Sequence, residues 1–222
     1  MRGRVVRNQK QDVSMKLYHF PPSPNSRRAL AVIHHLGLDC ELVPVDLFHG
    51  EQMRPEFVAL NPNHMIPTLV DGDFVLWESN AIMQYLCSKR PGNRLWPADP
   101  KAQADISRWQ SWGLAHFGAA CGVYIYERLV KKAIGQGDAD PAEIMKGELR
   151  FHRFAKVLDG CLEGREWLCG DGVTLADYSV GAPLCLTAIA GYPIEPYGEI
   201  RRWYAGIERL EPWRRSAPPD SK

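Results

Sequence analysis

The stretch from Lys16 to Leu47 limits what this chain can fold into more than any other. It reads "KLYHF", a Pro/Ser/Asn cluster, "SRRALAVIHHLG" and "CELVPVDL". The first and last runs are apolar and aromatic enough to be strands. Between them Leu30, Ile33 and Leu36, with Ala29 and Val32, recur at helical spacing, and Gly37 suits the stop. A strand, a helix and a strand so close together imply a right-handed parallel βαβ unit. Pro44 cannot donate to a ladder, which predicts an edge position for the second strand. Arg27 and Arg28 are expected as solvated charges on the helix face.

Further on, "TLVDGDFVLW" holds two strand runs joined around Asp71-Gly72-Asp73, a strong hairpin signal. "SNAIMQYLCSK" reads as a helix burying Ile82, Tyr85 and Leu86. The order through about residue 90 is therefore βαβ, an irregular connection, ββ and α, which predicts a mixed four-stranded sheet with helices packed on it. After the Pro/Gly-rich "RPGNRLWPADP" the patterns turn helical. A long helix is expected over "AQADISRWQSWGLAHFGAACGVYIYERLVKKA", with glycines as kink points. Asp140-Pro141-Ala142-Glu143 reads as a capping box opening a helix to about Leu162. "TLAD" is a second, in which Thr174 caps and Asp177 returns the bond; "YGEIRRWYAGIERL" is a final helix. The expected division is a disordered extension at 1–14, an α/β domain at 15–91, a linker at 92–100, an all-helical domain at 101–215 and a tail at 216–222.

Composition narrows the function. Lys+Arg 27 against Asp+Glu 26 leaves a net charge of +1 with no long basic run, so a nucleic-acid partner has no electrostatic support. No apolar stretch approaches the roughly 20 residues that span a bilayer, so no membrane partner is expected. Six scattered cysteines without a CxxC or zinc-like cluster read as reduced thiols of a cytoplasmic protein. His34 and His35 are adjacent and HExxH is absent, so no metal site is expected.

Four motifs carry a resemblance when taken as a set: "SPNSRRAL" after the first strand, "NPNHMIPTL" before the third, "LWESNAI" entering the third helix and "GVTLADYSV" in the helical half. With them the chain resembles the cytosolic glutathione transferase family from Met15 to about Arg215, and is similar to its serine-type phi, theta and delta-like classes. Tyr18 lies near the tyrosine of other classes without matching it, and positions 23 to 26 carry no cysteine. The resemblance implies a thioredoxin-like glutathione-binding domain followed by a helical bundle. It also implies a homodimer in which the first domain of one subunit faces the helical domain of the other. The activity implied is conjugation of glutathione, as co-substrate, to electrophilic hydrophobic small molecules. A glutathione-dependent disulfide reductase or isomerase, or a non-catalytic ligand- or partner-binding protein, would use the same frame.

The chemistry asked of such a site can be stated in magnitudes. A thiol with a pKa of about 8.5 must be lowered by roughly 2 units, about 2.7 kcal/mol, before thiolate dominates at neutral pH. A hydroxyl donating to the sulfur could supply about 1.5–3 kcal/mol, and a helix N-terminus about 0.3–1 kcal/mol more. Ser23 matches the family serine, while Ser26 is the alternative, with an N-cap as its plainer role. The resemblance further implies a cis Pro67 that turns the Ile66 backbone toward the cysteinyl part of glutathione. Ser79 and Glu78 would meet the γ-glutamyl carboxylate and ammonium. Gln52 and Met65 stand where related enzymes often place a charged residue and a glutamine. Trp112 and His116, on one face of the long helix, are the candidates for the electrophile pocket.

Overall fold

The computed structural model describes residues 15–219; the expected extension at 1–14 lies outside them. β1 (Met15–His19), α1 (Pro24–Leu36) and β2 (Glu41–Pro44) form the anticipated unit, with β1 and β2 parallel and Gly37 closing α1 in a left-handed conformation. α2 (Pro55–Leu60), β3 (Thr68–Asp71), β4 (Phe74–Trp77) and α3 (Ser79–Ser88) follow. The sheet order is β2-β1-β3-β4, so Pro44 does sit on an edge strand, and β3 runs antiparallel to both β1 and β4.

Side-chain alternation in β1 sets the layers. Met15, Leu17 and His19 point into the core, where Leu17 pairs across to Leu69, itself opposite Leu76. On the other face Tyr18 meets Phe57 of α2 edge-on, with ring centroids 6.0 Å apart. The connection before β3 was expected to be irregular; it contains α2. Six residues with one buried anchor, Phe57, are too short to carry a periodic signal.

The helical half begins with α4 (Pro100–Trp112), capped by Asp99 Oδ2, which accepts from the Ala102 N–H at 2.9 Å. The expected long helix runs on to Ala133 through α5 (Gly118–Ile125) and α6 (Lys131–Ala133), joined by π-helical turns at Gly113–Phe117 and Tyr126–Val130. At Gly113 an added Cβ would lie 3.2 Å from Val180 Cγ2, so this turn needs the close approach that glycine permits. α7 (Pro141–Leu162) is capped by Asp140, but Glu143 does not return the bond. It pairs with Lys146, and the Asp140 N–H donates instead to buried Glu127 at 2.7 Å. α8 (Leu175–Gly181) carries the expected reciprocal box, with Thr174 accepting from the Ala176 N–H and Asp177 accepting from the Thr174 N–H. α9 (Thr187–Ala190), α10 (Gly198–Arg209) and α11 (Glu211–Arg215) complete the chain, and α10 buries Ile200, Trp203, Tyr204 and Ile207 at i, i+3, i+4 and i+7.

The halves meet on α1, and this corrects the expectation for its arginines. Arg27 lies over the Trp213 ring of α11 at 4.3 Å and donates to the Ser216 hydroxyl. Ser216 is therefore buried at the junction and is no part of a loose tail. Arg28 is only 3 % exposed, and its Nη1 donates to Asn80 Oδ1 (3.4 Å) on α3 and to Ser179 Oγ (3.3 Å) on α8. A helix apolar on one stripe leaves its charges in water, but "ALAVI" (29–33) is buried throughout because α1 is covered on both sides.

Candidate active site

Strand direction brings the candidate residues to one end of the sheet. β1 ends beside the end of β2 (His19 opposite Pro44) and beside the start of β3 (Tyr18 opposite Thr68), and Thr68 faces the end of β4 at Trp77. The loops carrying Ser23, Gln52, Ile66-Pro67 and Glu78-Ser79 all emerge there.

Ser23 is the N-cap of α1. Its backbone is extended (φ −76°, ψ 124°), its N–H donates to Phe20 O at 2.9 Å, and its Oγ accepts from the Ser26 N–H at 3.3 Å. Because Oγ is the acceptor in that bond, the hydroxyl proton is left for another group. The N-cap role expected of Ser26 belongs to Ser23. Ser26 is fully buried, accepts from the Phe20 N–H at 3.1 Å and holds the loop after β1 in place. Ser23 is thus the hydroxyl that faces open space.

The Ile66-Pro67 bond is cis, and the ladder of β3 starts only at Thr68, so the Ile66 main chain stands outside the sheet. Asn61 Nδ2 steadies this turn through Met65 O at 2.8 Å, while the Met65 side chain is 67 % exposed. Glu78 has φ 72°, a sparsely populated conformation for a residue with a side chain, and makes no side-chain capping bond. Its carboxylate is exposed at the start of α3, with buried Ser79 next to it. A simple capping pair does not describe them. Gln52 turns inward: its Nε2 donates to Leu47 O at 3.3 Å, and its Oε1 is buried without a partner.

Ser23 opens on a chamber of about 460 Å³ between the two halves. Phe20, Leu47 and Phe48 wall it on the sheet side; Leu114, Ile125, Leu129 and Ile189 face them from the helices. Both π-helical turns contribute to the wall, Gly113 and Leu114 from one, Leu129 and Val130 from the other. At Gly122, also on this wall, an added Cβ would meet nothing within 4 Å.

Trp112 and His116 do not line the chamber. Trp112 packs against Trp109 and Phe117, and exposed His116 stacks on Phe154 at 4.9 Å. The two rings do share a face, with centroids 6.3 Å apart, but that face packs on Phe154 of α7 and away from the chamber.

Arg28 was missed as a site residue, though it lines the chamber. It is a buried cation without a carboxylate partner among the described residues, and its Nε makes no hydrogen bond. Burial pulls its pKa down to about 10, opposed by the nearby Cys185 thiol and Glu78 carboxyl, so it remains charged at neutral pH. Holding an unpaired ion away from water costs several kcal/mol.

The molecule therefore joins a four-stranded thioredoxin-like sheet to a helical half, with a capping serine beside the apolar chamber between them. The glutathione S-transferase N-terminal domain model matches residues 13–88, and the C-terminal domain model matches residues 124–211. An apo structure of a glutathione S-transferase III is 33% identical, with a TM-score of 0.79, covering 92% of this chain and 98% of its own. A delta-class transferase from Nilaparvata lugens is 29% identical (TM-score 0.80, 91% and 92% covered). A glutathione S-transferase-I bound with lactoylglutathione is 26% identical (TM-score 0.81, 92% and 98% covered). The chain belongs to the glutathione S-transferase family.

Proposed function

We propose that this protein conjugates the glutathione thiolate to hydrophobic electrophiles, with Ser23 stabilising the thiolate. The observation that carries the reading is Ser23 itself, capping α1 through Oγ while facing the apolar chamber with its proton uncommitted. Thiolate held there would accept a hydrogen bond from the hydroxyl and also feel the positive end of α1. Ile66 would pair with the cysteinyl main chain, and Ser79 and Glu78 would take the γ-glutamyl carboxylate and ammonium. Gln52, bonded inward, and exposed Met65 would add little to glutathione affinity. Support comes also from the structural neighbour that holds lactoylglutathione, a molecule containing the same tripeptide.

With an aryl chloride as electrophile, the sulfur lone pair forms the C–S bond, the C–Cl bond breaks, and chloride leaves with its electron pair. The thiol proton has by then passed to solvent, so the atoms balance without a further reactant. Turnover of a chlorodinitrobenzene with glutathione is the test: steady conjugation is expected, and tight glutathione binding without conjugation would refute the reading.

The working form is proposed to be a homodimer in a reducing cytoplasm. Free cysteines and the exposed Phe74 and Trp77 on the outer strand support this. Sedimentation at micromolar concentration should give twice the 25.1 kDa chain mass.

A further inference from the structure

The chamber is apolar except for a few groups, and one of these is charged: the Arg28 guanidinium, on the chamber wall with Ser23 and Asn25. Its two bonds, to Asn80 Oδ1 at 3.4 Å and Ser179 Oγ at 3.3 Å, are long and go to neutral acceptors. Its Nε has no partner. A methionine or leucine would fill the same space between α1, α3 and α8 without burying a charge, and buried ion sites replaced by apolar residues often gain stability. A buried guanidinium with spare donors on a cavity wall is matched by a planar anion that accepts two hydrogen bonds at once.

We propose that Arg28 recognises a carboxylate on the second substrate, so that the chamber selects amphipathic electrophiles with an apolar body and an anionic end. The proposal rests on reading the chamber as the second-substrate site. Glutathione also carries carboxylates, and Glu78 lies near enough to Arg28 to act on its charge. Because Glu78 and Ser79 do not line the chamber, probes without any glutathione part isolate the Arg28 side of it. Conjugation of such a substrate follows the same displacement, sulfur bonding to carbon as chloride departs, with the carboxylate unchanged throughout.

Naphthoate and naphthamide, alike in shape and differing in charge, are the probes, titrated by calorimetry into the wild-type protein. Neither has a leaving group, so the result does not depend on turnover. Naphthoate is expected to bind at least about tenfold more tightly, and Arg28→Met to erase that preference, while Arg28→Lys keeps part of it. Equal binding of the two probes by wild type overturns the proposal even if Arg28→Met does not fold. So does a variant that weakens both alike, or one that changes glutathione affinity alone. A second arm compares chloronitrobenzoate with chloronitrobenzamide as substrates. In Arg28→Met, kcat/KM should fall at least about tenfold more for the benzoate. If neither is conjugated but naphthoate still binds through Arg28, the anion site stands and the transferase reading falls.

Discussion

Where glutathione is expected to lie, the site is made largely of main chain: the N-cap at Ser23, the turn at Ile66-Pro67, and the left-handed Glu78 at the start of α3. Across the chamber the helical wall is made of what side chains leave open, with glycines at 113, 118 and 122 between Leu114, Ile125 and Leu129. On the proposed reading the first half would fix one ligand through backbone geometry that few residues can reproduce. The second leaves a volume whose shape depends on individual side chains.

The division can be broken most severely at the frame of the helical wall. Asp177 accepts from the Leu168 N–H, the Thr174 N–H and hydroxyl, and Trp203 Nε1, all within 3.0 Å. Asp177→Ala strands these buried donors, and denaturant titration should show a loss on the order of 3–5 kcal/mol. A variant as stable as wild type would mean that the wall has no such frame.

The next largest effect separates capping from chemistry at Ser23. Aspartate caps a helix as well as serine does but puts a negative charge beside the sulfur. Ser23→Asp should hold the melting temperature while kcat/KM for conjugation falls by about 100-fold, or 2.7 kcal/mol. Equal activity would make Ser23 merely a cap. On the opposite wall, Gly122→Leu should fill open space and raise KM for a bulky aryl electrophile by about tenfold with glutathione KM unmoved. A matching rise in glutathione KM would blur the two halves.

The smallest effect is a pH dependence in the sheet half. Burial holds the His19 imidazole below its ordinary 6.5. The unfolded chain therefore takes up the proton first, so this contribution is complete above pH 6.5 and is lost as pH falls toward the lower folded value. His19→Asn should flatten the decline in melting temperature between neutral and mildly acidic pH.

Much of the sheet half was legible in sequence because its signals are local. The helical stripe of α1 between two apolar runs and the turn at Asp71-Gly72-Asp73 are such signals, and their elements appear where expected, whereas the cis bond before Pro67 was implied by the resemblance. "TLAD" was legible for the same reason. The chamber was not, since Leu47, Phe48 and Ile189 come from segments far in sequence from the helical run that carries Leu114, Ile125 and Leu129. Trp112 and His116 do share a helix face, as their spacing implied, but periodicity could not say that this face meets Phe154 and not the chamber. The cap falls on Ser23 and not on Ser26 because the helix begins at Pro24, a residue well suited to the first helical position. That proline, together with the unbroken "ALAVI", was the available clue both to the true cap and to the burial of Arg28.

Ultraviolet absorbance of glutathione bound to wild-type and Ser23→Ala protein, followed across pH, tests the central claim most directly. The account predicts a bound thiol titrating about 2 units below its free value in wild type and returning toward that value in the variant. A wild-type midpoint at the free value, or one that the substitution leaves in place, would contradict it.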